Sequence, residues 1–112
     1  MSVQFPETTR KADINFNASG DNTIIAAAPA GKRIRIDHIN FMPAAATNIQ
    51  LKDGATPYGG AYPMLASTLA FMENTTLDQH GLIELSDGQA FVMNSSVATQ
   101  VSGFVKYRLL NE

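Results

Sequence analysis

His38 and His80 are the only imidazoles in the chain. The triplet Asp78-Gln79-His80 would place a carboxylate and an imidazole on one face of a strand, which is the beginning of a metal site. A complete site needs a second, closely spaced histidine, and His38 stands far away in sequence. Ordinary hydrogen bonding explains both histidines, so the reading is that no metal and no cofactor is held. Serines 19, 67, 86, 95, 96 and 102 offer hydroxyls, but none sits in a Gly-x-Ser-x-Gly elbow that would expose a nucleophile. A glycosidase needs two placed carboxylates. Of the candidates Glu73, Asp78, Glu84 and Asp87, a turn accounts for Asp87 and the solvent face of a strand for Glu84. Ser19-Gly20-Asp21-Asn22 is oxygen-rich enough to suggest calcium, yet an Asx-type turn entering a strand explains it better. The chain therefore reads as a non-enzyme, with a small metal-dependent enzyme as the weakest of the function classes considered.

What remains is binding chemistry. Lys32, Arg33 and Arg35 form the one basic group in a chain of 8 basic and 10 acidic residues with a net charge of −2. Arg33 and Arg35 share a strand face with Asp37. That face is either solvated and internally paired, or it docks on an acidic partner, since arginine is enriched at interfaces. A pI of about 5.6 and the lack of a longer basic stripe argue against nucleic acid. The exposed-aromatic candidates are Tyr58, Tyr62 and Tyr107.

The elements that must position these residues are strands. No window carries a helical apolar stripe with caps, whereas short apolar runs recur between turn signals. Asp13–Phe16, Thr23–Ala28, Lys32–Met42, Asn48–Lys52, Ser67–Met72, Leu82–Leu85, Gln89–Asn94 and a long last strand from Val97 to Leu109 are expected. Thr56–Leu65, with its prolines and glycines, reads as a loop or broken edge strand. Asp53-Gly54 is a tight-turn pair, and Ser86-Asp87-Gly88 reads as a hairpin. Within the long third segment, Ile34 and Ile36 are out of phase with Ile39 and Phe41. A bulge near Asp37–His38 is expected, of the kind that lets one strand serve two sheets. In the last strand Val97, Thr99, Val101, Gly103, Val105, Tyr107 and Leu109 fall on one face, the period of a half-buried antiparallel strand.

About eight short strands separated by regular turns define a single all-β antiparallel β-sandwich, jelly-roll-like, over residues 13–112, preceded by an extended N-terminal arm over residues 1–12. Charged residues make up 16%, low against a norm of about 25%. Leu69-Ala70-Phe71-Met72 and Ala90-Phe91-Val92-Met93 are apolar on both faces. A sandwich strand has one core face, so the second face must meet a loop, another chain or water. The N-terminal segment lacks the apolar stretch of a signal peptide, and no run is long enough to span a bilayer. No membrane role is expected.

The segments Ser19-Gly20-Asp21-Asn22-Thr23-Ile24-Ile25-Ala26-Ala27, Ala30-Gly31-Lys32-Arg33-Ile34-Arg35-Ile36, Gly81-Leu82-Ile83-Glu84-Leu85, Asp87-Gly88-Gln89-Ala90 and Val101-Ser102-Gly103-Phe104-Val105-Lys106-Tyr107 together resemble small jelly-roll β-sandwich decoration (cement) proteins of tailed-phage capsids. The resemblance spans roughly residues 18 to 108 and rests on turns and strand starts. It implies a virion protein on the capsid exterior, assembled in the host cytoplasm, whose partners are the major capsid protein and further copies of itself as a dimer or trimer. It carries over no catalytic residue. The partner-binding residues expected from the chain's own pattern are Phe5 and Arg10 in the arm, Lys32, Arg33 and Arg35 on the basic edge, and Tyr58 and Tyr62 in the Pro/Gly-rich loop. The alternative is a carbohydrate- or receptor-binding module at a tail or fibre tip, using the exposed tyrosines.

Overall fold

The computed structural model describes residues 9–73 and 83–111. It is all-β, with ten strands among these described residues: β1 Arg10–Phe16, β2 Gly20–Ile25, β3 Lys32–Pro43, β4 Thr47–Asp53, β5 Thr56–Pro57, β6 Tyr62–Met64, β7 Ala70–Glu73, β8 Ile83–Glu84, β9 Phe91–Ser95 and β10 Val101–Asn111. Every pairing is antiparallel. One sheet runs β1-β10-β3-β7, with β8 on the same edge of β3 as β7. The other runs β2-β9-β4-β5, with β6 also on β4. Early and late strands thus alternate between layers, β1 and β10 in one and β2 and β9 in the other, the jelly-roll-like wrapping expected.

The layers close on an aliphatic core. Ile34, Ile36, Ile39 and Phe41 from β3 meet Ile49 and Leu51 from β4, Phe91 and Met93 from β9, and Val101 and Val105 from β10, all at 0–1% exposure. Burying such side chains is the main favourable term in folding. The phase break in β3 is resolved by the expected bulge. His38 opposes Lys106 and Ile36 opposes Tyr107, so Asp37 is the extra residue. The bulge brings both pairs, Ile34 with Ile36 and Ile39 with Phe41, onto the core face and keeps β3 within a single sheet. The two-sheet corner expected there does not occur.

Other expectations shift. β1 begins at Arg10, three residues before the expected start. Its outward residues Lys11, Asp13 and Asn15 are exposed, while Ala12 and Phe16 pack against the core. The Thr56–Leu65 region is a broken edge, as the prolines require. The Asp87-Gly88 turn does not make a hairpin, because β8 and β9 lie in different sheets. The turn crosses between layers, and Asp53 holds it by accepting hydrogen bonds from the Ser86 N–H and hydroxyl. Gly54 opens the β4–β5 turn with φ of 61°, the positive value that a type II′ turn needs at that position. Gly103 answers a different demand. A Cβ there would lie 1.9 Å from the Asn40 carbonyl oxygen, so only glycine lets β10 lie against β3.

Candidate interface at the open edge of the sandwich

At one side of the sandwich β1 and β2 stand together. At the other, β7 of one sheet and β6 of the second flank a groove of about 320 Å³, lined by Phe41, Tyr62, Met64, Leu69, Phe71 and Met72 among others. The groove continues past Leu69 into a hollow bordered by Met42 and Pro43. Past Pro63 and Met64 it continues into one bordered by Leu65 and Val97. Of the seven large apolar side chains exposed among the described residues, six belong to this belt: Met42, Tyr62, Leu65, Leu69, Phe71 and Val97. Leu65 is 75% exposed and Phe71 57%. Among the described residues no charged side chain lines any of the three hollows. The rim is polar, with Asn40, Asn48, Thr68, Ser96, Gln100 and Ser102. An apolar centre with an uncharged polar rim is the make-up of a protein-binding surface.

Local hydrogen bonding fixes the belt. The Thr47 and Ser95 hydroxyls lie 2.8 Å apart, the Ser95 hydroxyl donates to the Val97 carbonyl at 2.7 Å, and the Val97 N–H donates to Thr47 Oγ1 at 3.2 Å. This buried chain leaves no polar group stranded and holds the turn that presents Val97. On the other side, the turn before β7 carries Ser67 at φ of 59°, a region costly for a residue with a Cβ. Its N–H donates to the Pro43 carbonyl at 2.8 Å, anchoring the turn between Leu65 and Leu69.

The outer face of the first sheet carries a second feature. The His38 ring stacks on Phe104 (centroids 5.0 Å apart, planes 16° apart) and meets Phe71 edge-on at 5.0 Å. The Asn40 side-chain nitrogen lies 2.9 Å from His38 Nε2. Lys11 sits 5.4 Å over the Phe104 ring, a cation–π geometry. An aromatic row thus crosses the sheet and ends at the exposed ring of Phe71. Among the described residues no three His, Cys, Asp or Glu side chains gather as a metal site would require. Asp78 and His80 lie outside the described residues.

The structure separates the expected partner-binding residues. Tyr62 lines the groove, while Tyr58 is exposed outside it. Arg10, opposite Tyr107, and the group Lys32, Arg33 and Arg35 lie toward the other end of the first sheet. Arg33 Nε donates to Glu84 Oε2 at 3.0 Å, and Arg35 Nε lies 3.7 Å from Asp37 Oδ1 with its side chain 11% exposed. These two arginines are engaged within their own sheet. Phe5 lies outside the described residues.

Of the two runs apolar on both faces, only Leu69–Met72 leaves large apolar side chains exposed. In the other, Val92 is 7% exposed. The Lys52 side chain, opposite Val92, reaches over β9 to Asp21 on β2, with Nζ 2.9 Å from Oδ2, so its stem shields the outward surface. Asn94 donates to the same carboxylate at 2.7 Å. Together the Asn94 hydrogen bond and the Lys52 ammonium hold the Asp21 carboxyl below its ordinary range. Val97, expected on the buried face of the last strand, instead lies in the turn before β10. Leu65 and Met42 were not singled out by sequence, because a lone apolar residue in a loop or at a strand end carries no pattern.

Comparison of the chain with protein-family models, with curated proteins and with solved structures finds no match.

Proposed function

We propose that this chain is a structural protein of a phage virion, a decoration or cement protein that binds and stabilises junctions between major capsid subunits on the capsid exterior. The observation that carries the reading is the uncharged apolar belt along the open edge between β6 and β7. Water is a poor solvent for a surface of this kind, and covering it with another protein is favourable at roughly 25 cal/mol per Å² before the costs of association. The resemblance in strand starts and turns supplies the kind of partner. A domain that binds the assembled shell and not its free subunits stabilises the shell by mass action. The sandwich itself needs no rearrangement for this role, because the belt is already held by hydrogen bonds and core packing.

Mixing the purified chain with assembled capsids that lack it, and with unassembled capsid protein, tests the reading. Co-sedimentation with the shells alone is expected. Co-sedimentation with neither overturns it. Tyr62 and Phe71 on the groove give the second reading, a sugar-binding module at a tail or fibre tip, its specific support. Binding to a glycan array together with failure to bind shells would favour that role.

A further inference from the structure

The four sheet edges are not equally protected. Exposed edge strands invite pairing with other chains and are ordinarily blunted by charge, proline or irregularity. β1 carries Arg10, Lys11 and Asp13. β2 opens with Gly20-Asp21-Asn22. β5 and β6 contain Pro57 and Pro63. β7, introduced by Leu69, reads Ala-Phe-Met before its single charge at Glu73. It pairs with β3 on one side, and among the described residues no strand pairs with the other.

We infer that a second copy of this chain pairs with β7, antiparallel and about a two-fold axis through Phe71, joining the two β1-β10-β3-β7 sheets into one. What this adds to the self-association that the resemblance implies is the strand, the register and the axis, none of which the resemblance supplies. Three observations select a second copy as the occupant. The belt is uncharged, so it meets its own image without like-charge repulsion. In this register each Glu73 lies opposite Leu69 of the other copy, and the two carboxylates stand at opposite ends of the pair. The aromatic row Phe104–His38–Phe71 ends at the edge, and placing Phe71 against its symmetry mate continues it across both copies as a cross-strand aromatic pair. An isologous contact of this kind closes at a dimer and does not propagate.

The area is sufficient only with main-chain pairing. The six belt side chains are 39–75% exposed and offer on the order of 600 Å². A standard interface takes about 800 Å² from each partner. The β7 backbone and its new ladder hydrogen bonds supply the remainder, as in other strand-addition contacts.

Sedimentation velocity on the wild type, Phe71→Lys and Tyr58→Ser tests the inference, with hydrogen exchange on the wild type across a concentration series. The expected result is a wild-type dimer, a dissociation constant raised about tenfold or more by Phe71→Lys, and no change with Tyr58→Ser, which lies outside the belt. The amides of residues 70–73 should exchange more slowly as the dimer fills, a readout that stands even if Phe71→Lys fails to fold. A wild type that stays monomeric, a dimer whose residues 70–73 exchange as in the monomer, or a folded Phe71→Lys that still dimerises would each overturn it. A monomer that still binds shells would refute the dimer and leave the decoration role intact. A dimer that ignores shells would do the reverse.

Discussion

Arg108 of β10 donates from Nε to Asp37 Oδ2 at 2.9 Å, at the one residue by which β3 outnumbers its partner strand. Asp37 faces Arg35 as well, 3.7 Å away, so the bulge residue is the acid that balances two arginines. Its side chain is about a fifth exposed. Removing it would leave two guanidinium groups poorly solvated beside the core. Asp37→Ala is expected to cost about 2 kcal/mol, read from urea unfolding. A double-mutant cycle with Arg108→Ala should return a coupling well above the few tenths typical of exposed pairs.

Gly103 and Gly54 should respond differently to alanine. At Gly103 the new methyl meets the Asn40 backbone, which cannot move without breaking the central β3–β10 pairing. Gly103→Ala is expected to cost at least about 3 kcal/mol and to lower soluble yield sharply. At Gly54 the obstacle is the far end of the Gln89 side chain, which can swing away, leaving the strain of a positive φ, about 1–2 kcal/mol. Paired melting curves separate the two.

Asp21 sets a pH dependence whose sign is fixed. Its folded carboxyl titrates below the ordinary value of 3.8, chiefly through the Asn94 hydrogen bond and then through Lys52. A carboxyl depressed on folding stabilises the protein above its unfolded value and loses that contribution as pH falls through the folded one. The loss therefore falls below pH 3.8, and it is small because the side chain is half exposed. Carboxyl NMR titration should show Asn94→Ala moving the Asp21 midpoint upward, and Lys52→Met moving it the same way.

Leu65 stands mostly in solvent and Val97 is a little under half exposed, outside the core cluster, so neither contributes much to the fold. The pair Leu65→Lys and Val97→Lys should leave unfolding free energy within about 0.5 kcal/mol per site while weakening shell binding at least about tenfold. Calorimetry and co-sedimentation on the same preparations provide the check.

Much of the fold was legible because strand periodicity and turn chemistry agree. Ile34, Ile36, Ile39 and Phe41 announced both the core face and the bulge, while Gly54 and the prolines of the Thr56–Leu65 region announced a turn and a broken edge. Sheet membership was not legible. Asp87-Gly88 looks like a hairpin turn in sequence, and only the pairing of β8 with β3 and of β9 with β4 shows a crossing between layers. The site was half legible. Leu69–Met72 stood out as apolar on both faces, and so did Ala90–Met93. What separates them is strand position: β7 is an edge, whereas β9 is central and overlain by Lys52. The basic trio could be read two ways from sequence, as internally paired or as a docking edge, for a similar reason. The partners Glu84 and Asp37 sit on a neighbouring strand and in a bulge, and residue type alone does not reveal that they neutralise Arg33 and Arg35.

The most direct test of the central claim, that the uncharged belt is a docking surface for a capsid, is cryo-electron microscopy of particles bearing this chain, with the copies counted and their orientation read. The account predicts hundreds of copies on the capsid exterior, with Leu65, Tyr62 and Val97 against capsid subunits or a neighbouring copy. A handful of copies at the tail, or a belt facing bulk water, would contradict it.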